Sequence, residues 1–262
     1  MRYNARPTAV AQVSYPAPRF VRSFGRANLP SQPMFYCSTA RSSVPFELRL
    51  AVGEKVAISR WRVSENIIVS NVGYTKAAFE QLSSQRTEMP NWIAADNHLE
   101  DERARRINDF LSLEFTKLVS DGREFEYKRS IAISRVLLQD IEPVILSARL
   151  VKRFAGIVYP AIATKGHADN ICIHPEFVDS SLKLEQAEFV QVRSIVDHGV
   201  WQEYKLDHLD FANSFSPVGT IEWKGRPARW NIVIPPGGRV TQSIEDGQTV
   251  YRDAQGELID PQ

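Results

Sequence analysis

Residues 25–47 read GRANLPSQPMFYCSTARSSVPFE, and the rest of the chain is organised around them. A Gly-Arg-x-Asn turn at Gly25-Arg26-Ala27-Asn28 comes first. The apolar run Met34-Phe35-Tyr36 then reads as a short strand, bounded by turn-forming residues. Hydroxyl residues cluster at Ser38, Thr39, Ser42 and Ser43, and Pro45 and Glu47 stand at the front of an expected helix, since proline is tolerated in a first turn. A strand followed by a helix start can bring Arg26, Tyr36 and Glu47 to one side of a pocket.

Outward from this stretch, the pattern is mixed. Residues 54–61 alternate apolar and polar, residues 66–72 (NIIVSNV) form another β-type run, and 156–160 (GIVYP) and 170–174 (NICIH) read as buried strands. Helices are expected over 75–86, over 99–119 with Ile107, Phe110, Leu111, Phe115 and Leu118 on one face, and over 127–139 with Tyr127, Ile131, Ser134 and Leu138. A loop is expected at 87–98. Residues 187–197 and 199–206 form a strand pair reversing at Asp197-His198-Gly199, where glycine supplies positive φ cheaply. Beyond 217 the chain is turn-rich and strand-like, with a turn at Pro235-Pro236-Gly237-Gly238. Strands and helices do not alternate regularly, which indicates an α+β fold.

The two blocks at 25–47 and 156–175 together resemble the RES family, named for its arginine, glutamate and serine. The first block matches a G-R-x-N, apolar-aromatic strand, Ser/Thr turn and A-x-x-E-like helix pattern through Gly25-Arg26-Ala27-Asn28, Phe35-Tyr36, Ser38-Thr39 and Val44-Pro45-Phe46-Glu47. The second matches through Gly156-Ile157-Val158-Tyr159-Pro160, Gly166, Asn170 and Pro175. Together they bracket most of residues 20–190. At the position of the family serine this chain has Ala161.

The resemblance implies an ADP-ribosyltransferase-like mixed β core with surrounding helices. In domain terms it implies an NAD-binding unit over 20–195, with 1–19 as an N-terminal arm and 196–262 as a β-rich C-terminal extension packed on it. It also implies a toxin of a toxin–antitoxin pair that splits NAD at the nicotinamide–ribose bond, with inorganic phosphate or water as acceptor. NAD is then the substrate, a cognate antitoxin the protein partner, and an oligomer is left open. Two alternatives stand beside this: an NAD- or partner-binding RES protein impaired by Ala161, and a protein ADP-ribosyltransferase.

The chemistry assigns roles within that resemblance. Arginine grips a pyrophosphate with a planar fork, which suits Arg26; otherwise Arg26 is a loop cation. A fixed carboxylate stabilises the oxocarbenium-like charge on the ribose, which suits Glu47; otherwise it complements a helix dipole. Tyr36 can stack on a planar ring or fill the core. Ser43, one turn before Glu47, can donate to ligand or cap the helix. Asn28 and Asn170 complete the expected cofactor contacts, and Ala161 marks the place of the missing hydroxyl.

Composition excludes other classes. The chain has 262 residues, 43% hydrophobic and 24% charged, with 32 basic and 31 acidic side chains for a net charge of +1. That balance gives no pull toward nucleic acid or anionic membrane. No apolar run approaches the ~20 residues of a membrane span, and no apolar leader is seen, so a cytoplasmic protein is expected. Cys37 and Cys172 lack metal-ligand spacing and read as reduced thiols, the histidines lack zinc spacing, and no metal is expected. Dinucleotide, P-loop and nucleophile-elbow glycine motifs are absent.

Overall fold

The structure is a computed structural model. It describes residues 3–84, 86, 101–138, 154–199 and 202–225, with the backbone of 230–233, 241–245, 248–252 and 258–259. The expected loop at 87–98 and the turn at Pro235-Pro236-Gly237-Gly238 lie outside the described residues.

The fold is mixed α+β, built on two four-stranded sheets. In chain order the elements are β1 (Phe35–Ser38), α1 (Val44–Glu47), β2 (Lys55–Val63), β3 (Val69–Asn71), α2 (Lys76–Gln81), α3 (Glu102–Thr116), α4 (Lys128–Leu137), β4 (Gly156–Pro160), β5 (Asp169–Ile173), α5 (Pro175–Ser181), β6 (Leu182–Asp197), β7 (Gln202–Ala212) and β8 (Trp230–Val233). The first sheet has the order β1-β5-β4-β3 and the second β2-β6-β7-β8. Three short strands, β9 (Thr241–Glu245), β10 (Gln248–Arg252) and β11 (Leu258–Ile259), form a small antiparallel sheet in the order β11-β10-β9.

Period-two alternation sets which residues face which layer. In the first sheet Tyr36, Cys172 and Ile157 lie opposite one another across three strands, as do Ser38, Asn170 and Tyr159. All six therefore share one face. There Ile157, Tyr159 and Cys172 pack with Phe115 of α3 and with Ile133 and Leu138 of and just after α4. The reverse face carries Val158 against Tyr74 and Phe79 of the α2 region. Gly156 is required by close approach: a Cβ there would lie 2.2 Å from the Cys172 carbonyl oxygen, a backbone atom with no room to yield.

In the second sheet Val56, Ile58, Val190, Val192, Tyr204 and Leu206 form one core layer, covered by Val44, Phe46 and Leu48 from and beside α1. The Phe46 ring meets Tyr204 edge-on, with centroids 5.0 Å apart. The two sheets join through Phe35, Ile173, Val178 and Leu182 with Trp61, and Phe35 and Trp61 are 5.4 Å apart, edge to face. The single turn α1 thus lies where the sheets meet, with Phe46 on the second and Glu47 toward the first.

Several expectations shift. The helix carrying Pro45 and Glu47 is one turn long, so Glu47 is in its first turn and is also its last residue, and four residues build up little macrodipole. The face expected to be buried on α3 is only partly so: Phe115 is fully buried, while Ile107, Phe110 and Leu118 are exposed. The reason is polar. Ser112 Oγ accepts the Gly73 N–H at 3.2 Å, and Gln81 donates to Leu113 O and Thr116 Oγ1. These bonds set the helix on its Ser112–Thr116 side and turn part of the apolar ridge outward.

The boundary expected at 195/196 falls inside β6, which pairs with β2 along one edge and β7 along the other. The end of β6, β7 and β8 therefore belong to the same sheet as β2. Gly199 has φ +81 in the β6–β7 reversal, as the Asp197-His198-Gly199 reading anticipates. The N-terminal arm is woven into the fold. Ala9 bridges Thr220, Trp223 Nε1 donates to Pro7 O, Arg6 pairs with buried Asp210, and Val13 is buried with Ala57, Ala187, Ala212 and Ile221. Among the described residues, no helix is long and apolar enough to cross a membrane.

Candidate functional site

The Gly-Arg-x-Asn turn is locked by its own residues. Gly25 and Asn28 form a bridge, with the Gly25 N–H donating to Asn28 O at 3.0 Å. The Asn28 side chain folds back so that Oδ1 accepts from the Tyr36 hydroxyl at 2.8 Å, while Nδ2 donates to Leu29 O at 3.1 Å. The Tyr36 oxygen in turn accepts the Ala27 N–H at 2.9 Å. The turn is thereby fastened to β1, and both polar ends of Asn28 are engaged in doing so.

Tyr36 is 42% exposed, yet its hydroxyl is surrounded. Burial raises its pKa above the ordinary value, with Cys172 nearby adding to the effect and the Ala27 N–H and Arg26 opposing it. The two facts fit a tyrosine whose hydroxyl is anchored in the protein and whose ring face is open. Such a ring is a platform for a planar ligand.

Arg26 is buried, at 9% exposure. One terminal nitrogen donates to Phe115 O and the other to Lys117 O at 3.1 Å. These are carbonyls at the C-terminal end of α3, where the helix presents unpaired acceptors and the negative end of its dipole. The guanidinium also lies 5.1 Å from the Tyr127 ring centre, 5.9 Å from Tyr159 and 6.0 Å from Phe115, within cation–π range. Ser130 Oγ donates to Arg26 O at 2.7 Å. The cation that the resemblance assigns to a pyrophosphate is here held by carbonyls and three aromatic rings.

Glu47 is exposed as a residue, but protein crowds its carboxylate. Burial raises its pKa. Against this act a hydrogen bond from Asn170, the positive charge of Arg26, the Ala163 N–H, and the charge of Arg49. Asn170 Nδ2 donates to Glu47 Oε1 at 2.7 Å. Asn170 is buried on β5, on the same sheet face as Tyr36 and Tyr159.

Ser43 is fully buried and sits at the cap position of α1 without making a side-chain cap bond. Its hydroxyl is within hydrogen-bond reach of Ser38 Oγ at 2.6 Å and Ala40 O at 2.8 Å. It braces the turn between β1 and α1. Ala161 is 0% exposed and begins the 3-10 turn Ile162–Thr164, whose Ala163 N–H holds Glu47. The Thr164 hydroxyl donates back to Ala161 O at 3.3 Å and does not substitute for a serine.

The structure thus brings together Arg26, Tyr36, Glu47 and Asn170. Asn28, Ser43 and Ala161 stand behind them as braces. Sequence reading missed Tyr159 and Tyr127, which flank Arg26, and the Ala163 N–H, which has no side-chain signature. For Tyr159 a signal existed, since alternation along GIVYP places it two residues from Ile157 on the same face. Burial governs both thiols: Cys37 and Cys172 lie one register position apart on opposite faces, and it pushes each up to about 12. Among the described residues no group of three or more His, Cys, Asp or Glu side chains could hold a metal ion. An open depression of about 490 Å³ lined by Tyr3, Asn4, Val52, Gly53, Glu54 and Lys55 contains none of the cluster, and the chemistry favours the Glu47 face.

No family model, curated protein or solved structure matches this chain.

Proposed function

We propose that this chain is an NAD-consuming enzyme of the RES type, with an ADP-ribosyltransferase-like core, that cleaves the nicotinamide–ribose bond with phosphate or water as acceptor. The observation that carries this reading is the 2.7 Å bond between Glu47 and Asn170. It joins the two sequence blocks that resemble the family, on a face shared with Tyr36 and beside Arg26. In this reading the ring of Tyr36 stacks on the nicotinamide or ribose end of NAD. The C1′–N bond breaks with its electron pair leaving on nicotinamide. Positive charge gathers on the ribose, and the Glu47 carboxylate stabilises it where it develops. An acceptor oxygen then bonds to C1′: an anionic phosphate oxygen does so directly, and water passes its proton to solvent.

Arg26 supplies fixed positive charge beside this site and holds the end of α3 against it. A bidentate grip on pyrophosphate would require exchange of the Phe115 and Lys117 carbonyls for phosphate oxygens. We further propose an antitoxin partner, which follows from the resemblance alone, and a cytoplasmic setting, which follows from the lack of a long apolar run in the sequence.

A specific observation favours one second reading. Ala161 presents no hydroxyl where the family pattern has serine, so the same site can hold NAD, or a partner, without turnover. Incubation with NAD in the presence and absence of phosphate separates the two. Nicotinamide release supports the enzyme, and calorimetric NAD binding without release supports the binding protein. Neither release nor binding refutes both, and label transferred from NAD to a protein would point instead to ADP-ribosyl transfer.

A further inference from the structure

We infer that Asn170 is a positioning residue that clamps the Glu47 carboxylate and biases it toward its ionised, acceptor form. Glu47 needs such a clamp because its own element is weak: α1 is a single turn, too short to hold a side chain by helical structure alone. Asn170, by contrast, sits on a strand paired on both sides, opposite Ser38 of β1 and Tyr159 of β4.

The residue before it is fastened on the reverse face of the sheet. Asp169 accepts from Arg86 Nη1 at 2.8 Å and from the Tyr74 hydroxyl at 2.9 Å. Its carbonyl oxygen accepts from Ser38 Oγ at 3.0 Å and from the Thr39 N–H at 2.8 Å. The strand is thus pinned from both faces at the point where it offers the Asn170 amide. An amide N–H₂ can only donate, and an ionised carboxylate is the stronger acceptor, so the 2.7 Å contact from Nδ2 favours the ionised state. The other groups acting on Glu47 are the Ala163 N–H from the turn after β4, Arg26 from the loop before β1, Arg49 from the segment after α1, and the Tyr159 hydroxyl of β4. The first three also favour the ionised form, while burial opposes it. This role does not depend on the identity of the ligand.

The test is the titration of Glu47 itself, followed by carbon NMR of side-chain carboxyls in the glutamate-labelled chain and assigned by its loss in Glu47→Gln. Asn170→Ala should move the Glu47 midpoint upward by about one pH unit, the size of one lost charge-assisted hydrogen bond. Asn170→Asp, of the same shape, should move it further, because a second carboxylate then faces the first. A folded Asn170→Ala chain whose Glu47 midpoint stays put or falls overturns the inference. The unsubstituted protein gives a check that needs no stable variant at position 170. The Asn170 side-chain amide resonances should shift with the Glu47 midpoint, and that shift should vanish in Glu47→Gln. Amide resonances that ignore the Glu47 titration would equally overturn the role.

Discussion

Replacing Gly25 by alanine sets local preference against tertiary contact. Gly25 is not among the positive-φ glycines, so its backbone suits alanine. By conformational entropy alone Gly25→Ala should stabilise the fold by about 0.4–1 kcal/mol. The contacts argue the reverse. A Cβ at this position would lie 2.2 Å from Asn28 Oδ1 and 3.1 Å from the Tyr36 hydroxyl oxygen. The Asn28 side chain is itself buried and has to move, and its movement breaks the 2.8 Å bond from Tyr36 and loosens the 2.9 Å bond from Ala27. Each such bond contributes about 1 kcal/mol, and a buried polar group left without a partner costs about 1–3 kcal/mol more. After the entropic gain is subtracted, the expected net destabilisation is about 2–4 kcal/mol. Urea unfolding at constant m-value should show it as a lower midpoint. The double substitution Gly25→Ala/Asn28→Ala removes the obstructing oxygen and should be no less stable than Asn28→Ala alone, giving a clear coupling in the cycle. A Gly25→Ala chain as stable as the parent, or an additive cycle, would refute the account of why glycine stands in this turn.

Three further outcomes are expected. Glu47→Gln should lower nicotinamide release by on the order of a hundredfold with NAD affinity little changed, because the charge acts on the transition state. The same variant should be more stable than the parent at neutral pH. A carboxyl with a raised folded pKa binds more protons folded than unfolded, so its burden is absent below the unfolded pKa and fully present above the folded one; parallel melts that show no gain for Glu47→Gln on raising the pH would count against a buried, ionised Glu47. Arg26→Ala should cost about 2–4 kcal/mol through its orphaned carbonyls and lost ring contacts, and weaken NAD binding, whereas exposed Arg22→Ala should change stability by less than about 0.5 kcal/mol; equal calorimetric affinities for the two variants would exclude Arg26 from the site. Ala161→Ser should raise nicotinamide release about tenfold or more and cap the Ile162–Thr164 turn through the Thr164 N–H; unchanged release from a folded variant would favour the binding protein over the enzyme.

The strands were legible where a side-chain pattern reports its own burial. The unbroken apolar run of GIVYP became β4, every residue of which is buried, and the glycine at 199 marked the β6–β7 reversal. The α3 pattern gave the helix but not its buried side, because Ser112 and Thr116, which look solvent-facing in sequence, make the bonds that set its rotation. At the candidate site, Arg26, Tyr36 and Glu47 were identifiable as residues from the chemistry and the resemblance. Their partners were not, since backbone groups such as the Ala163 N–H and the Phe115 carbonyl carry no residue-type signal.

By itself, then, the sequence determined most of the strands and the longer helices but not α5, that the chain mixes them as α+β, and which polar side chains stand out against apolar surroundings. These are local properties, set by periodicity and turn chemistry over a few residues. Only the tertiary structure decided that Arg26 is spent on the end of α3, that Asn28 and Ser43 brace turns, that Ala161 is enclosed, and that Asn170 meets Glu47. Those outcomes depend on strand register and on contacts that periodicity does not report, such as those of Arg26 with residues 89 and 91 positions away and of Asn170 with Glu47 across 123. A shift of one residue in β5 would carry Asn170 to the other face of the sheet.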